Sequence, residues 1–88
     1  MVTVFYTPNF IRRYKHLESS LKKEVKEKIK EFENPKNHKK LDVHKLTGRL
    51  DHGYAFSVNF KIRIIFEYRK SKSQANLLSI GDHDELYR

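Results

Sequence analysis

The residues of this chain that could carry chemistry fall into a few groups. His44 opens the stretch His44-Lys45-Leu46-Thr47-Gly48. A neutral imidazole can take a proton from a ribose hydroxyl near neutral pH, because its reference pKa is about 6.5. Standing alone beside a lysine, such a histidine is more often a plain surface group. Arg63 lies between Ile62 and Ile64, an odd position in a stretch whose even positions are apolar. A guanidinium there either pairs across a sheet with Glu67 or another carboxylate, or clamps a reacting phosphate through two parallel hydrogen bonds. His83 sits between Asp82 and Asp84, with Tyr87 further on. Flanking carboxylates suit a histidine that donates a proton, while Tyr87 can equally pack the tail. Finally, Lys36, Lys39, Lys40, Lys45 and Arg49 face a lone Asp42 over residues 36–49, with His38 and His44 among them. An unbalanced basic stretch of this kind suits a phosphate backbone. The lysines Lys22, Lys26 and Lys30, interleaved with Glu24, Glu27 and Glu31, read instead as a solvated helix face.

Other chemistries have no residues to support them. There are no cysteines, which removes disulfides, zinc–thiolate sites and thiol nucleophiles together. The histidines include no His-x-x-x-His or other close ligand pair, so no metal and no other cofactor is expected. No glycine-rich phosphate loop, serine-centred elbow or paired-carboxylate motif occurs. A sequence-reading DNA binder built on a helix-turn-helix is disfavoured as well.

The elements that must position these groups fit one domain spanning residues 1–88, since a second core would not fit in a chain of this length. With 38% apolar residues the chain fills one core and leaves any active site shallow. Its net charge of +8 points to a polyanionic partner: nucleic acid, an acidic protein or an anionic membrane. The N-terminus does not read as a signal peptide, and no apolar run approaches the ~20 residues of a membrane span. The cysteine-free composition fits a reducing cytoplasm.

Val2 to Tyr6 reads as a short strand, and Thr7-Pro8 as a helix cap with proline in the first turn. Phe10, Tyr14 and Leu17 predict an amphipathic helix to about Glu18. Ser19-Ser20 should break it and cap a second helix carrying Leu21, Val25, Ile29 and Phe32, which Asn34-Pro35 stops. After the basic connector the period changes to two. Tyr54, Phe56, Val58 and Phe60 alternate with polar or small residues, a turn falls near Asn59-Phe60-Lys61, and Ile62, Ile64, Phe66 and Tyr68 follow. A second turn at 71–74 precedes a central strand over Ala75 to Ile80, which Gly81 ends before a polar tail. The order is β-α-α-β-β-β: an α+β fold with two N-terminal helices packed on a small, mainly antiparallel sheet.

Taken together, the length, this order of elements, Lys45-Leu46-Thr47-Gly48, the strand Arg63-Ile64-Ile65-Phe66 and the ending Ile80-Gly81-Asp82-His83-Asp84-Glu85-Leu86-Tyr87 resemble the RelE/ParE toxin superfamily. Within it the chain is most similar to the RelE and YafQ type of messenger-RNA-cleaving toxin. The resemblance covers the whole chain and implies a metal-independent endoribonuclease. Such an enzyme typically cuts mRNA at the ribosome and is held inactive by a cognate acidic antitoxin. It also implies roles by position. His44 matches the histidine before the Leu-x-Gly stretch, Arg63 the strand arginine, His83 the C-terminal histidine and Tyr87 the terminal tyrosine. Lys39, Lys40, Lys45 and Arg49 become candidate RNA contacts. The chain departs from the pattern at Ala55, Ser57 and Asn59, where RelE-like toxins often carry another basic residue; His52 is a candidate substitute. Either histidine can be the base and the other the acid. Two other readings share the fold: a ParE-like inhibitor of DNA gyrase, and a member that only binds its antitoxin.

Overall fold

The computed structural model describes residues 1–47 and 53–86. Strand β1 (Thr3–Tyr6) leads into helices α1 (Pro8–Lys15) and α2 (Ser19–Phe32). Strands β2 (His44–Lys45), β3 (Tyr54–Ser57), β4 (Ile62–Tyr68) and β5 (Gln74–Asp82) follow, and a short helix, α3 (His83–Leu86), comes last. The sheet order is β1-β5-β4-β3-β2, with β1 parallel to β5 and every other pairing antiparallel. The expected order of elements is present. The two-residue strand β2 and the turn of helix α3 are additions to it.

Both helices cover one face of the sheet. Thr7 caps α1 by accepting from the Phe10 N–H at 3.3 Å, while its hydroxyl donates to the Leu77 carbonyl at 2.8 Å. Phe10 on α1 and Val25, Ile29 and Phe32 on α2 are buried against Phe56, Ile64, Phe66, Leu77 and Ile80. The centre is aromatic: Phe32 stacks on Phe56 at 4.5 Å and meets Phe66 edge-on at 4.8 Å.

The local differences from expectation have plain causes. Helix α1 closes at Lys15 through Leu17 N–H donating to the Tyr14 carbonyl, and Glu18, in extended backbone, starts α2. The two serines therefore lie inside the first turn of α2, with the Ser20 hydroxyl on Glu18 Oε1 at 3.1 Å. The β3–β4 turn needs no Asn-Gly because Asn59 Oδ1 accepts from both the Lys61 and Ile62 amides. That turn leaves Phe60 91% exposed instead of extending the buried stripe. Strand β5 runs through Gly81 and Asp82, because Arg63 and Ile62 still pair with them.

The basic stretch is not a loose connector. Two side chains from it cap the open carbonyls at the end of α2: Asn37 Nδ2 donates to Glu31 O at 2.9 Å, and His38 Nε2 donates to Phe32 O at 2.7 Å. His38 also stacks on the Phe32 ring at 4.8 Å, and Leu41 is buried in the core. Asp42 then turns the chain with φ 57°, a left-handed conformation that aspartate tolerates, and β2 begins two residues later.

Candidate active site on the open face of the sheet

Side chains of paired strand residues project to the same side of a sheet. His44 pairs with Ala55, Ala55 with Ile65, and Ile65 with Ser79. In the next row Ser57 pairs with Arg63 and Arg63 with Gly81. These residues share the face opposite the helices. Two strand spacings and two residues separate His44 from Arg63, about 12 Å between Cα atoms, which their long side chains can bridge toward one bound group. Gly81 opposite Arg63 has no Cβ to cover the arginine.

A small apolar floor lies beneath them. Leu46, Ala55 and Ile65 are buried together, with Leu78 and Leu86 packed against them. Ile65, an apolar residue at an odd strand position, is only 7% exposed. A bulge in β5 supplies Leu78: Ile65 pairs with Ser79 but Phe66 with Leu77, so Leu78 is the extra residue. Its carbonyl accepts from Asn9 Nδ2 at 2.9 Å, which fastens α1 to the bulge. Leu86 brings α3 onto the same floor, and with it His83.

His83 continues the β4–β5 ladder. Its amide donates to the Lys61 carbonyl at 3.0 Å, one step beyond the Ile62–Asp82 pair. The ring is exposed, with Nδ1 3.7 Å from Asp84 Oδ1. His44 has its Nδ1 2.8 Å from the Asp42 carbonyl. A carbonyl only accepts, so Nδ1 carries the hydrogen, and in the neutral ring Nε2 keeps its lone pair.

Arg63 does not pair with Glu67, whose Oε2 accepts from Asn76 Nδ2 at 3.2 Å. Its Nη1 instead donates to the carbonyls of Asn59 and Ile62 in the β3–β4 turn. That tether aims a half-buried guanidinium along the face without neutralising it.

The structure brings His44, Arg63 and His83 to one face. The lysines go elsewhere. Lys45 pairs with Tyr54, which packs on the helix-side core, so Lys45 points away from His44. Lys40 Nζ is 2.7 Å from Glu31 Oε1 on α2, and this contact with Lys40 holds the Glu31 carboxyl below its ordinary value. Lys39 is exposed in the same turn. Arg49, Tyr87, Gly48 and His52 lie outside the described residues. The alternation of the strands does not predict the apolar floor, although Ala55 and Ile65 at odd strand positions are its signal. Among the described residues no helix is long and apolar enough to cross a membrane.

No family model matches this sequence. No curated protein matches it either. Solved structures do. YafQ from Escherichia coli strain BL21(DE3) superposes with a TM-score of 0.79 at 12% identity, over 100% of both chains. YoeB, in its complex with YefM from Staphylococcus aureus, gives 0.71 at 16% identity, over 94% of this chain and 98% of that one. The archaeal RelE of the RelE–RelB complex from Pyrococcus horikoshii OT3 gives 0.71 at 18% identity, over 92% and 93%. At such low identity the likeness is one of architecture, and in architecture this chain has the fold shared by YafQ, YoeB and RelE.

Proposed function

We propose that this protein is the toxin of a toxin–antitoxin pair, an endoribonuclease of the RelE/YafQ type that cleaves mRNA at the ribosome. The observation that carries this reading is the convergence of His44, Arg63 and His83 on the face opposite α1 and α2, over the Leu46–Ala55–Ile65 floor. Cleavage by the neighbouring 2′-OH needs a base, a cation for the crowded phosphorane and an acid for the leaving 5′-oxygen. His44 is the base, because its bond to the Asp42 carbonyl leaves the Nε2 lone pair outward. His83 is the acid, its protonated ring balanced by Asp84. The proton from the 2′-OH goes to His44, the 2′-oxygen bonds to phosphorus, and the 5′-oxygen leaves with the proton of His83. Arg63 directs its remaining guanidinium donors at the phosphorane oxygens, with Nη1 committed to the turn. Tyr87 is assigned to the same site by resemblance, and Lys39, Lys40, Lys45 and Arg49 to RNA on the flanks. A shallow site of this kind leaves part of the substrate positioning to the ribosome.

The partner that neutralises it is an acidic antitoxin, in keeping with the net charge of +8. YoeB and RelE, with the same architecture, were solved in complexes with YefM and RelB. Steering by opposite charge predicts that added salt slows association more than it speeds dissociation.

The test is induction without antitoxin, followed by primer extension on cellular mRNA. Growth arrest with cuts at codon-related positions is expected, and His44→Ala and His83→Ala should abolish them. Intact mRNA with double-strand DNA breaks would overturn the nuclease in favour of a gyrase inhibitor. Harmless expression of a folded chain that binds its antitoxin would leave only the non-catalytic role.

A further inference from the structure

The face opposite α1 and α2 extends well past the proposed reaction centre. From Arg63 in β4 to Arg69 just past its end is six residue steps, about 20 Å. At that far end Phe5 on β1 pairs with Asn76 on β5, and Asn76 with Glu67 on β4. Phe5 belongs to neither apolar cluster. Instead Arg69 reaches across β5 and lays its guanidinium over the Phe5 ring, 4.2 Å from the centroid. Arg69 itself is exposed, so the outer side of that planar group faces solvent. Its backbone is fixed by the Arg69 amide donating to the Gln74 carbonyl at 2.9 Å.

Beside this platform stands a hydrogen-bonding edge. Glu67 Oε2 accepts from Asn76 Nδ2 at 3.2 Å. A carboxylate only accepts, so this bond fixes the amide orientation and turns Asn76 Oδ1 the other way. The edge therefore presents acceptors: the Asn76 carbonyl oxygen and the Glu67 carboxylate. Lys70 and Lys72, both exposed, occupy the adjoining β4–β5 turn. A stacking plane, an edge of defined polarity and nearby cations are the three parts of a site for an unpaired base.

We propose that Arg69, supported by Phe5 and flanked by Glu67 and Asn76, is a nucleobase subsite for an unpaired nucleotide several positions along the strand from the scissile phosphate. The base stacks on the open side of the guanidinium, and Lys70 or Lys72 meets its phosphate. Because the edge offers acceptors, it selects bases with an exocyclic amino group over uracil, as a carboxylate does with the cytosine amine. The inference rests on the nuclease reading above.

The experiment is fluorescence anisotropy at low salt with labelled single-stranded RNA of about 12 nucleotides, in oligo(A), oligo(C) and oligo(U) forms. The wild-type chain should bind oligo(A) and oligo(C) more tightly than oligo(U). Arg69→Ala should weaken binding of all three by about 5- to 150-fold, the range for one lost stacking contact. Arg69→Lys keeps the charge and the aliphatic stem but loses the plane, so it should show much of the same loss while retaining the melting temperature. Glu67→Gln should keep affinity and erase the preference against uracil. Full retention of affinity in a folded Arg69→Lys chain would overturn the subsite, since charge alone would then suffice. Indifference of binding to Arg69→Ala overturns it too. A wild-type chain that binds none of the three RNAs overturns the subsite as well, whereas the nuclease reading falls only if mRNA stays intact on induction, a result distinct from these.

Discussion

The two faces of the sheet are built from the same alternating strands and serve different ends. On the helix side, residues such as Phe56, Ile64, Phe66 and Leu77 meet Phe32 and Ile29 and are buried almost completely. On the other side the apolar set is small, with Leu46, Ala55 and Ile65 buried under Leu78 and Leu86. Around that floor stand His44, Arg63 and His83, and further out Glu67, Asn76 and Arg69. The difference lies in what covers each face. Two helices seal one, whereas a single short turn of helix leaves most of the other open to a substrate. A floor just large enough to hold the sheet together keeps polar groups accessible and still gives them a rigid base.

The comparison predicts that truncation on the helix side costs folding, and truncation on the open side costs chemistry. The largest effect should come from Phe32→Ala, which removes the ring shared by Phe56, Phe66 and His38. A loss of about 3–5 kcal/mol is expected in denaturant unfolding, enough to unfold much of a domain this small. A fall below about 1 kcal/mol would mean that the core lies elsewhere. On the open face, His44→Ala and His83→Ala should each lower the rate of mRNA cleavage by about 10²–10⁴-fold with melting curves near wild type. Arg63→Ala should cost about 10²–10³-fold in the same assay. It should also loosen the β3–β4 turn modestly, because the Asn59 carbonyl loses the Arg63 donor while that of Ile62 keeps the Val58 and Asn59 amides. If Arg63→Ala unfolds the chain, the arginine belongs to the scaffold and the division between faces is wrong there. Lys45→Ala, on the helix side of β2, should change cleavage less than any of these three.

The smallest effect concerns acid. The Glu31 carboxyl is held down chiefly by its hydrogen bond to Lys40, with Lys28 adding to it. A carboxyl with a lowered folded-state pKa contributes stability above its unfolded value, and that contribution fades as pH falls through the folded one. Acid titration of Lys40→Ala should therefore show a shallower loss of stability below the usual carboxylate range than wild type. Identical acid limbs would show that the pair contributes nothing.

Much of the helix-side architecture was legible as pattern. Phe10 and Tyr14, the stripe from Leu21 to Phe32, and the alternation through Phe56, Ile64 and Phe66 each report one buried face directly. Arg63 was legible as an outward residue for the same reason. The surroundings of the site were not. The face of His44 depends on a strand only two residues long, whose register follows from Leu41 burial, the His38 cap and the turn at Asp42. None of these has a periodic signature. The tether of Arg63 runs to carbonyls, which every residue has, so nothing in the sequence distinguishes Asn59 and Ile62 as its partners. The bulge at Leu78 likewise looks like ordinary apolar sequence until the register on both sides is known.

The parallel pairing of β1 with β5 also bears on when the protein becomes whole. Thr3 meets Gln74 and Tyr6 meets Leu77, so the first strand to leave the ribosome waits for nearly the last. Until then β1 has no neighbour in the sheet, and α1 lacks the Leu77, Leu78 and Ile80 carbonyls on which Thr7, Asn9 and Arg13 close. Contacts of such long sequence separation slow folding, since loop closure comes before any gain from pairing. The helix hairpin can form early from its own local contacts, but the open face cannot, because Arg63 and His83 gain their relative positions only through β5. A nascent or truncated chain that lacks β5 is therefore inert on that face, and competence arrives in one late step once β5 is in place.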